Sequence, residues 1–266
     1  MNGLYKIADS HTHIYPDKIA MKASKSIGDF YGIPMFYNGT VKELLENGSG
    51  INIKKYLVCS VSTTPQQVMS INDFIISQCL EHEEFVGLAA MHQDFNDVEK
   101  ELERVAEQGL KGIKMHHDFQ KVYSDDERFF RTYKKAEEAG MVCLLHAGDD
   151  RYDYTRPKRI ISVMEKFPNL KCIAAHFGGY KCWEEAYKTY KGTDNLYFDT
   201  SSSLYSLKPD EARDIIREFG SDRFLFGTDY PMWDAKTELE WFLSLNLTER
   251  ENSSILYDNF INLFNL

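Results

Sequence analysis

The chain has 266 residues, 43% of them apolar and 27% charged, with a formal net charge of −10. That length holds one large core or two modest ones, and the balance is that of a globular chain rather than a disordered one. The acidic balance, with no long basic run, speaks against a nucleic-acid footprint and a polybasic membrane anchor.

The chain opens on strand-like sequence without a charged-then-apolar leader pattern, and no apolar run reaches the ~18 residues that a membrane span requires. The five cysteines, Cys59, Cys79, Cys143, Cys172 and Cys182, are an odd count without a CxxC pair. Reduced thiols in a cytoplasmic protein fit this better than a disulfide framework.

Short apolar runs alternate with longer amphipathic ones. The strand-like runs are Tyr5–Ala8, Tyr56–Val61, Phe85–Met91, Leu110–Met115, Val142–Leu145, Leu170–Ala175, Leu196–Phe198 and Phe224–Phe226. Their near-continuous apolar character suits parallel strands covered on both faces. Between them Val98, Leu102, Val105 and Ala106 fall at helical spacing, with Gly109 where a C-terminal cap stands. Phe129, Phe130, Tyr133 and Ala136 make a second stripe, ended by Gly140; Pro157–Phe167 is stopped by Pro168, and Pro209–Phe219 opens on proline in the first turn and ends at Gly220. Pro65–Glu81 and Thr248–Phe264 complete the helical set.

Eight β-then-α units in a chain of this length predict an α/β fold, a single-domain (β/α)8 TIM barrel over residues 1–266. The rival, an open doubly wound sheet, lacks its GxGxxG fingerprint. One connection is long. Residues 14–55, between the first two strands, form an excursion rich in aromatics and glycine, with a short helix expected near Val41–Glu46 and a path over the barrel mouth.

In such a barrel the active site lies at the C-terminal ends of the strands. The first run continues into Asp9-Ser10-His11-Thr12-His13, and the period of two puts His11 and His13 on one side with Thr12 turned away. Two imidazoles so placed can share one metal ion. The later runs end on His116-His117, His146, His176, Asp199 and Asp229, so six of the eight histidines stand at strand ends and only His82 and His92 do not. A lone histidine of this kind is usually a hydrogen-bonded core residue. Converging imidazoles without a metal are costly to desolvate.

The ordered motifs Asp9-Ser10-His11-Thr12-His13, Gly112-Ile113-Lys114-Met115-His116, Leu145-His146-Ala147-Gly148, Ala175-His176-Phe177-Gly178-Gly179 and Gly227-Thr228-Asp229-Tyr230-Pro231 resemble the amidohydrolase superfamily, in its amidohydrolase-2 branch. Where many relatives carry proline after the strand-four histidine, this chain has His117-Asp118. The resemblance implies that His11, His13, His146 and Asp229 hold one divalent metal, with His176 as the polarising or proton-transferring histidine beside it. Zinc is the first expectation for such a donor set, with manganese, iron or nickel also compatible. Asp229 would bind the metal and handle a proton.

Around this set, His116, Arg151 and Arg156 are candidates for substrate contact, the arginines for a substrate carboxylate. Lys114, Asp199 and Asp9 are candidates for the surrounding layer; Lys114 reads as a buried cation paired with an inner carboxylate rather than a carbamylated metal bridge. The expected activity is metal-dependent hydrolysis of a C–N or C–O bond (amide, ester, lactone or cyclic) in a small molecule. The alternative is a metal-dependent non-oxidative decarboxylase of an unsaturated or aromatic acid, a lyase type the same branch contains, similar to aminocarboxymuconate-semialdehyde decarboxylase. The expected partners are a small-molecule substrate and, by frequency among soluble enzymes, a second copy in a homodimer.

Overall fold

The computed structural model describes residues 5–193 and 195–266. Eight strands follow one another in a single sheet in the order of the sequence: β1 Ile7–His13, β2 Ile53–Cys59, β3 Phe85–Ala90, β4 Gly112–Met115, β5 Val142–Leu145, β6 Lys171–Ala174, β7 Leu196–Asp199 and β8 Phe224–Leu225. With helices between them this is the TIM-barrel fold expected from the alternation. The residues group into two compact units, one formed by the chain up to Val58 with Thr200–Leu266, the other by Cys59–Asp199.

In the Cys59–Asp199 unit, β3 to β7 pair in parallel. Met115 of β4 stands beside Leu145 of β5, Leu145 beside Ala174 of β6, and Ala174 beside Phe198 of β7. This row explains why His116, His146, His176 and Asp199 arrive at one end: each follows the row by one or two residues. Gly112 opens β4 because a Cβ there would meet the Val142 carbonyl oxygen at 2.0 Å. The helices Val98–Glu107 and Phe130–Glu138 bury the expected stripes, among them Leu102 and Val105, Tyr133 and Ala136, and Pro157–Lys166 buries Ile160 and Val163.

In the other unit β1 runs to His13 and lies along β8, with Ser10 N–H donating to the Phe226 carbonyl at 2.8 Å and His13 N–H to that of Tyr230 at 2.7 Å. Every residue of β1 is buried, including the polar Asp9–His13 that read as a strand end. The excursion holds two helices rather than one, Asp17–Tyr31 and Val41–Gly48. The first buries only Ala20, Ser24 and Gly28, so it has no stripe of large apolar side chains to announce it. The second begins at a capping box of Thr40 and Glu43, within the stretch expected to be helical. The C-terminal helical stretch forms as Glu249–Ser253 and Asn259–Phe264 joined by a π-helical turn, Ser254–Asp258. Helices Trp183–Thr189 and Ala235–Leu243 had no clear apolar stripe: the first buries only Ala186, and the buried face of the second includes the charged Glu238. No helix among the described residues is long and apolar enough to cross a membrane.

Candidate metal centre

On β1 the strand period puts His11 and His13 on one face and Thr12 on the other, where its hydroxyl donates to the Leu57 carbonyl at 2.9 Å. His11 Nε2 and His13 Nε2 lie 3.2 Å apart, and each is 3.5 Å from Asp229 Oδ1. Three donors about 2.0–2.1 Å from one tetrahedral ion would lie about 3.3 Å from one another. The triangle has the dimensions of three corners of such a site.

Two of the three corners, His11 and Asp229, are held from outside. His11 Nδ1 lies 3.1 Å from Ser201 Oγ; a proton on Nδ1 donated to that oxygen leaves Nε2 with a lone pair directed at the triangle. Asp229 Oδ2 accepts the Ser202 hydroxyl at 2.6 Å, which leaves Oδ1 turned to the histidines. Asp229 adopts a left-handed backbone, φ 57°, a conformation a non-glycine residue keeps only when its surroundings fix it. Asp9 supplies part of that fixing. Its Oδ1 accepts from the backbone N–H groups of His11 and Thr228 at 3.2 and 3.0 Å, and its Oδ2 from the Thr228 hydroxyl at 2.7 Å. Asp9 thereby ties β1 to the residue before Asp229.

In the Cys59–Asp199 unit, His146 Nδ1 lies 3.1 Å from His176 Nε2. Gly148 permits this approach of the two strand ends: its φ is +77°, and a Cβ there would meet the backbone of Gly179 and Tyr180 at 2.5 Å. His176 and Phe177 have φ of 61° and 54°. Asp199 secures that bend by accepting the His176 N–H on Oδ1 and the Phe177 N–H on its carbonyl, both at 2.9 Å. His116 stacks between Phe119, 3.7 Å away, and His146, 4.0 Å away.

His117 turns from the strand end into the core. Its Nε2 is 3.1 Å from the Tyr133 hydroxyl, which donates onward to the Ser124 carbonyl, and burial with the nearby Lys114 charge pushes its pKa down to about 3. It is a neutral structural histidine. Asp118 lies beside His146, Oδ2 to Nε2 3.8 Å, and accepts the Thr155 hydroxyl at 2.7 Å. Burial, reinforced by the Asp149 charge, pushes its pKa up to about 7.

Lys114 is buried on β4. Arg151 forks onto the fully buried Asp149, with Nε and Nη2 at 2.9 and 2.7 Å from its two oxygens. Arg156 pairs with Glu185 at 2.6 Å and donates to Cys182 Sγ at 3.0 Å. Within each unit, then, the structure brings together His11, His13 and Asp229 with Asp9 behind them, and His116, His146 and His176 with Asp199 behind them. Ser202 carried no expectation from the sequence, and Asp118 entered only through the His117-Asp118 departure from the family pattern. The unbroken Ser201-Ser202-Ser203 run directly after a strand end was the available signal for the first.

A family model described as amidohydrolase matches residues 8–266. The chain belongs to the amidohydrolase family. Gamma-resorcylate decarboxylase of Polaromonas sp. (strain JS666 / ATCC BAA-500) is 28% identical to this amidohydrolase-family chain, over 39% of this chain and 37% of its own length. Among solved structures, an uncharacterized TIM-barrel protein from Bordetella bronchiseptica has a TM-score of 0.78 at 20% identity, with 97% of this chain and 98% of that one covered. A dihydroxybenzoic acid decarboxylase from Polaromonas sp. JS666, with bound manganese and the inhibitor 2-nitroresorcinol, has a TM-score of 0.76 at 18% identity, with 99% and 98% covered. At these identities the two structures are likenesses of fold.

Proposed function

We propose that this amidohydrolase-family chain is a metal-dependent, non-oxidative decarboxylase of a small aromatic or unsaturated carboxylic acid. His11, His13 and Asp229 would hold one divalent ion, with His146 as the further ligand that the family resemblance implies. The observation that carries the metal is the triangle of donor atoms 3.2 to 3.5 Å apart. The choice of reaction rests on the decarboxylase at 28% identity, supported by the manganese and nitroresorcinol bound in the structural neighbour. Both likenesses favour lyase chemistry over the hydrolysis expected first from the sequence. Manganese joins zinc as a leading candidate ion.

In the reaction the bond between the ring or vinyl carbon and the carboxylate breaks. Its electron pair stays on that carbon, carbon dioxide leaves, and a proton takes its place. A divalent ion held by these residues would supply positive charge to offset the negative charge that develops on the substrate. Asp229 keeps Oδ1 toward the two histidines because Ser202 holds Oδ2. His146 offers a lone pair on Nε2 when its Nδ1 carries the proton and donates it to His176 Nε2, 3.1 Å away. Asp229 and His176 are the groups proposed to handle the proton at the reacting carbon.

His116 presents its ring next to His146 and is proposed to touch substrate. Arg151 and Arg156 remain proposed grips for a substrate carboxylate, each sharing its guanidinium with Asp149 or Glu185. A cytoplasmic location and a homodimer belong to the same proposal; the cysteines among the described residues are all free thiols.

The test is a panel of hydroxybenzoic and unsaturated carboxylic acids given to metal-loaded protein in deuterated water. The proposal expects released carbon dioxide and deuterium on the carbon that lost it. Oxygen-18 from water entering an ester, amide or lactone product, with no carbon dioxide from any acid, would restore the hydrolase reading.

A further inference from the structure

The residue after Ser201 carries a second contact to the triangle, and it ends on an aromatic cluster. Ser202 Oγ lies 2.6 Å from Asp229 Oδ2, 3.6 Å from Met232 Sδ and 2.8 Å from Trp233 Nε1. A hydroxyl has one proton, and the ionised carboxylate at the shorter distance is far the stronger acceptor. The Trp233 N–H can only donate, so the order is fixed: indole N–H to Ser202 oxygen, Ser202 proton to Asp229 Oδ2.

The far end of this chain is packed among aromatic rings. The Trp233 indole stacks on Tyr205 with ring centroids 4.9 Å apart, meets Trp241 edge-on at 5.9 Å and lies against Phe36 at 6.2 Å. These contacts orient its N–H toward Ser202. At the near end Ser202 is buried and has a left-handed backbone with φ of 47°. Serine is not an easy occupant of that conformation, in which the Cβ of an L-residue crowds the following carbonyl oxygen. Glycine would adopt it freely. A hydroxyl kept where the backbone favours glycine implies that the hydroxyl itself has a task.

We propose that Ser202, aimed by Trp233, is a positioning residue for the metal-ligating carboxylate of Asp229: it occupies Oδ2 so that Oδ1 alone faces His11 and His13. This rests on the metal reading above and adds to it two residues that the ligand motifs do not contain. The ligand itself is untouched, so the effect falls on how well the ion is held. Partners of this kind typically govern metal affinity by ~10–100-fold.

The experiment is calorimetric titration of metal-stripped protein with Mn2+, beside thermal unfolding of the same metal-free samples. Ser202→Gly removes the hydroxyl and relieves the backbone; Ser202→Ala removes the hydroxyl and keeps the strain. The two variants should therefore separate in unfolding temperature, with glycine the more stable. Both should weaken Mn2+ binding by the same ~10–100-fold. Trp233→Phe, which keeps the ring packing and loses the N–H, should weaken binding less. Added to Ser202→Gly it should weaken binding no further, because Trp233 acts through Ser202.

Wild-type affinity in Ser202→Gly overturns the proposal, as does an affinity that follows unfolding temperature across the two Ser202 variants. A double variant weakened by the product of the two single effects overturns the role of Trp233. A wild type that binds neither Mn2+ nor, titrated in the same way, Zn2+ overturns the metal reading itself and this proposal with it, so the two failures are distinguishable.

Discussion

His11 Nδ1 lies 3.1 Å from Ser201 Oγ, and this contact decides what the other nitrogen of the ring can do. An imidazole that binds a metal through Nε2 carries its proton on Nδ1, where it needs an acceptor. Ser201 is fully buried, so water does not replace it. Ser201→Ala should leave the fold intact and weaken divalent-metal binding ~10-fold or more. Titration of metal-stripped protein checks this, with circular dichroism to confirm folding; an unchanged affinity would mean that His11 needs no such partner.

The pair His117 and Asp118 should give metal-free stability an unusual pH dependence. His117 is held near 3 against 6.5 for a free histidine, so below pH 6.5 the unfolded chain takes up a proton that the folded one refuses. Its contribution to stability is present above pH 6.5 and lost as pH falls toward 3. Asp118 is held near 7 against 3.8, so the folded chain keeps a proton that the unfolded one releases. Its contribution is present below pH 3.8 and lost as pH rises toward 7. Between about pH 4 and 6.5 the two slopes oppose, each at most ~1.4 kcal/mol per pH unit. Asp118→Asn keeps an acceptor for Thr155 and removes one slope, so stability in urea should rise with pH more steeply than in the wild type across that window. His117→Gln should change the slope in the opposite direction. Profiles parallel to the wild type in both variants would show that neither group titrates as its burial dictates.

Arg151 offers a way to separate scaffolding from substrate binding. Its partner Asp149 is fully buried while Arg151 is 36% exposed, and removing one member of a buried pair strands the other charge. Arg151→Ala should cost on the order of 3 kcal/mol, the low end for such a break because one partner reaches solvent. Arg151→Ala with Asp149→Asn should recover most of that loss in a thermal melt. If Arg151 also grips the substrate carboxylate, KM stays raised in the stable double variant. If KM returns to its wild-type value, Arg151 is scaffold alone.

How legible these features were depends on the kind of signal each leaves. All eight strands lay open in the sequence because buried parallel strands are apolar on both faces, and the ligand candidates followed from what stands after each run. Helix Asp17–Tyr31 was hidden because small residues, Ala20, Ser24 and Gly28, form its buried face. The end of β1 was hidden because its last residues are polar yet buried, satisfied by groups such as Phe226, Thr228 and Tyr230 more than 200 positions away. The strand period set His116 apart from His117 by placing it on one face with Lys114; the structure gives His117 a core partner in Tyr133. The serines that hold His11 and Asp229 carry no metal-ligand signature of their own. Their role depends on which residue across β1 and β8 they face.

The most direct measurement is the metal stoichiometry of stripped protein titrated with Mn2+ and with Zn2+, in the wild type and in His13→Ala and Asp229→Ala. The triangle of His11, His13 and Asp229 predicts saturation at about one ion per chain, lost in both variants while they stay folded. A folded wild type that takes up no ion, or an Asp229→Ala variant that binds as the wild type does, would contradict it.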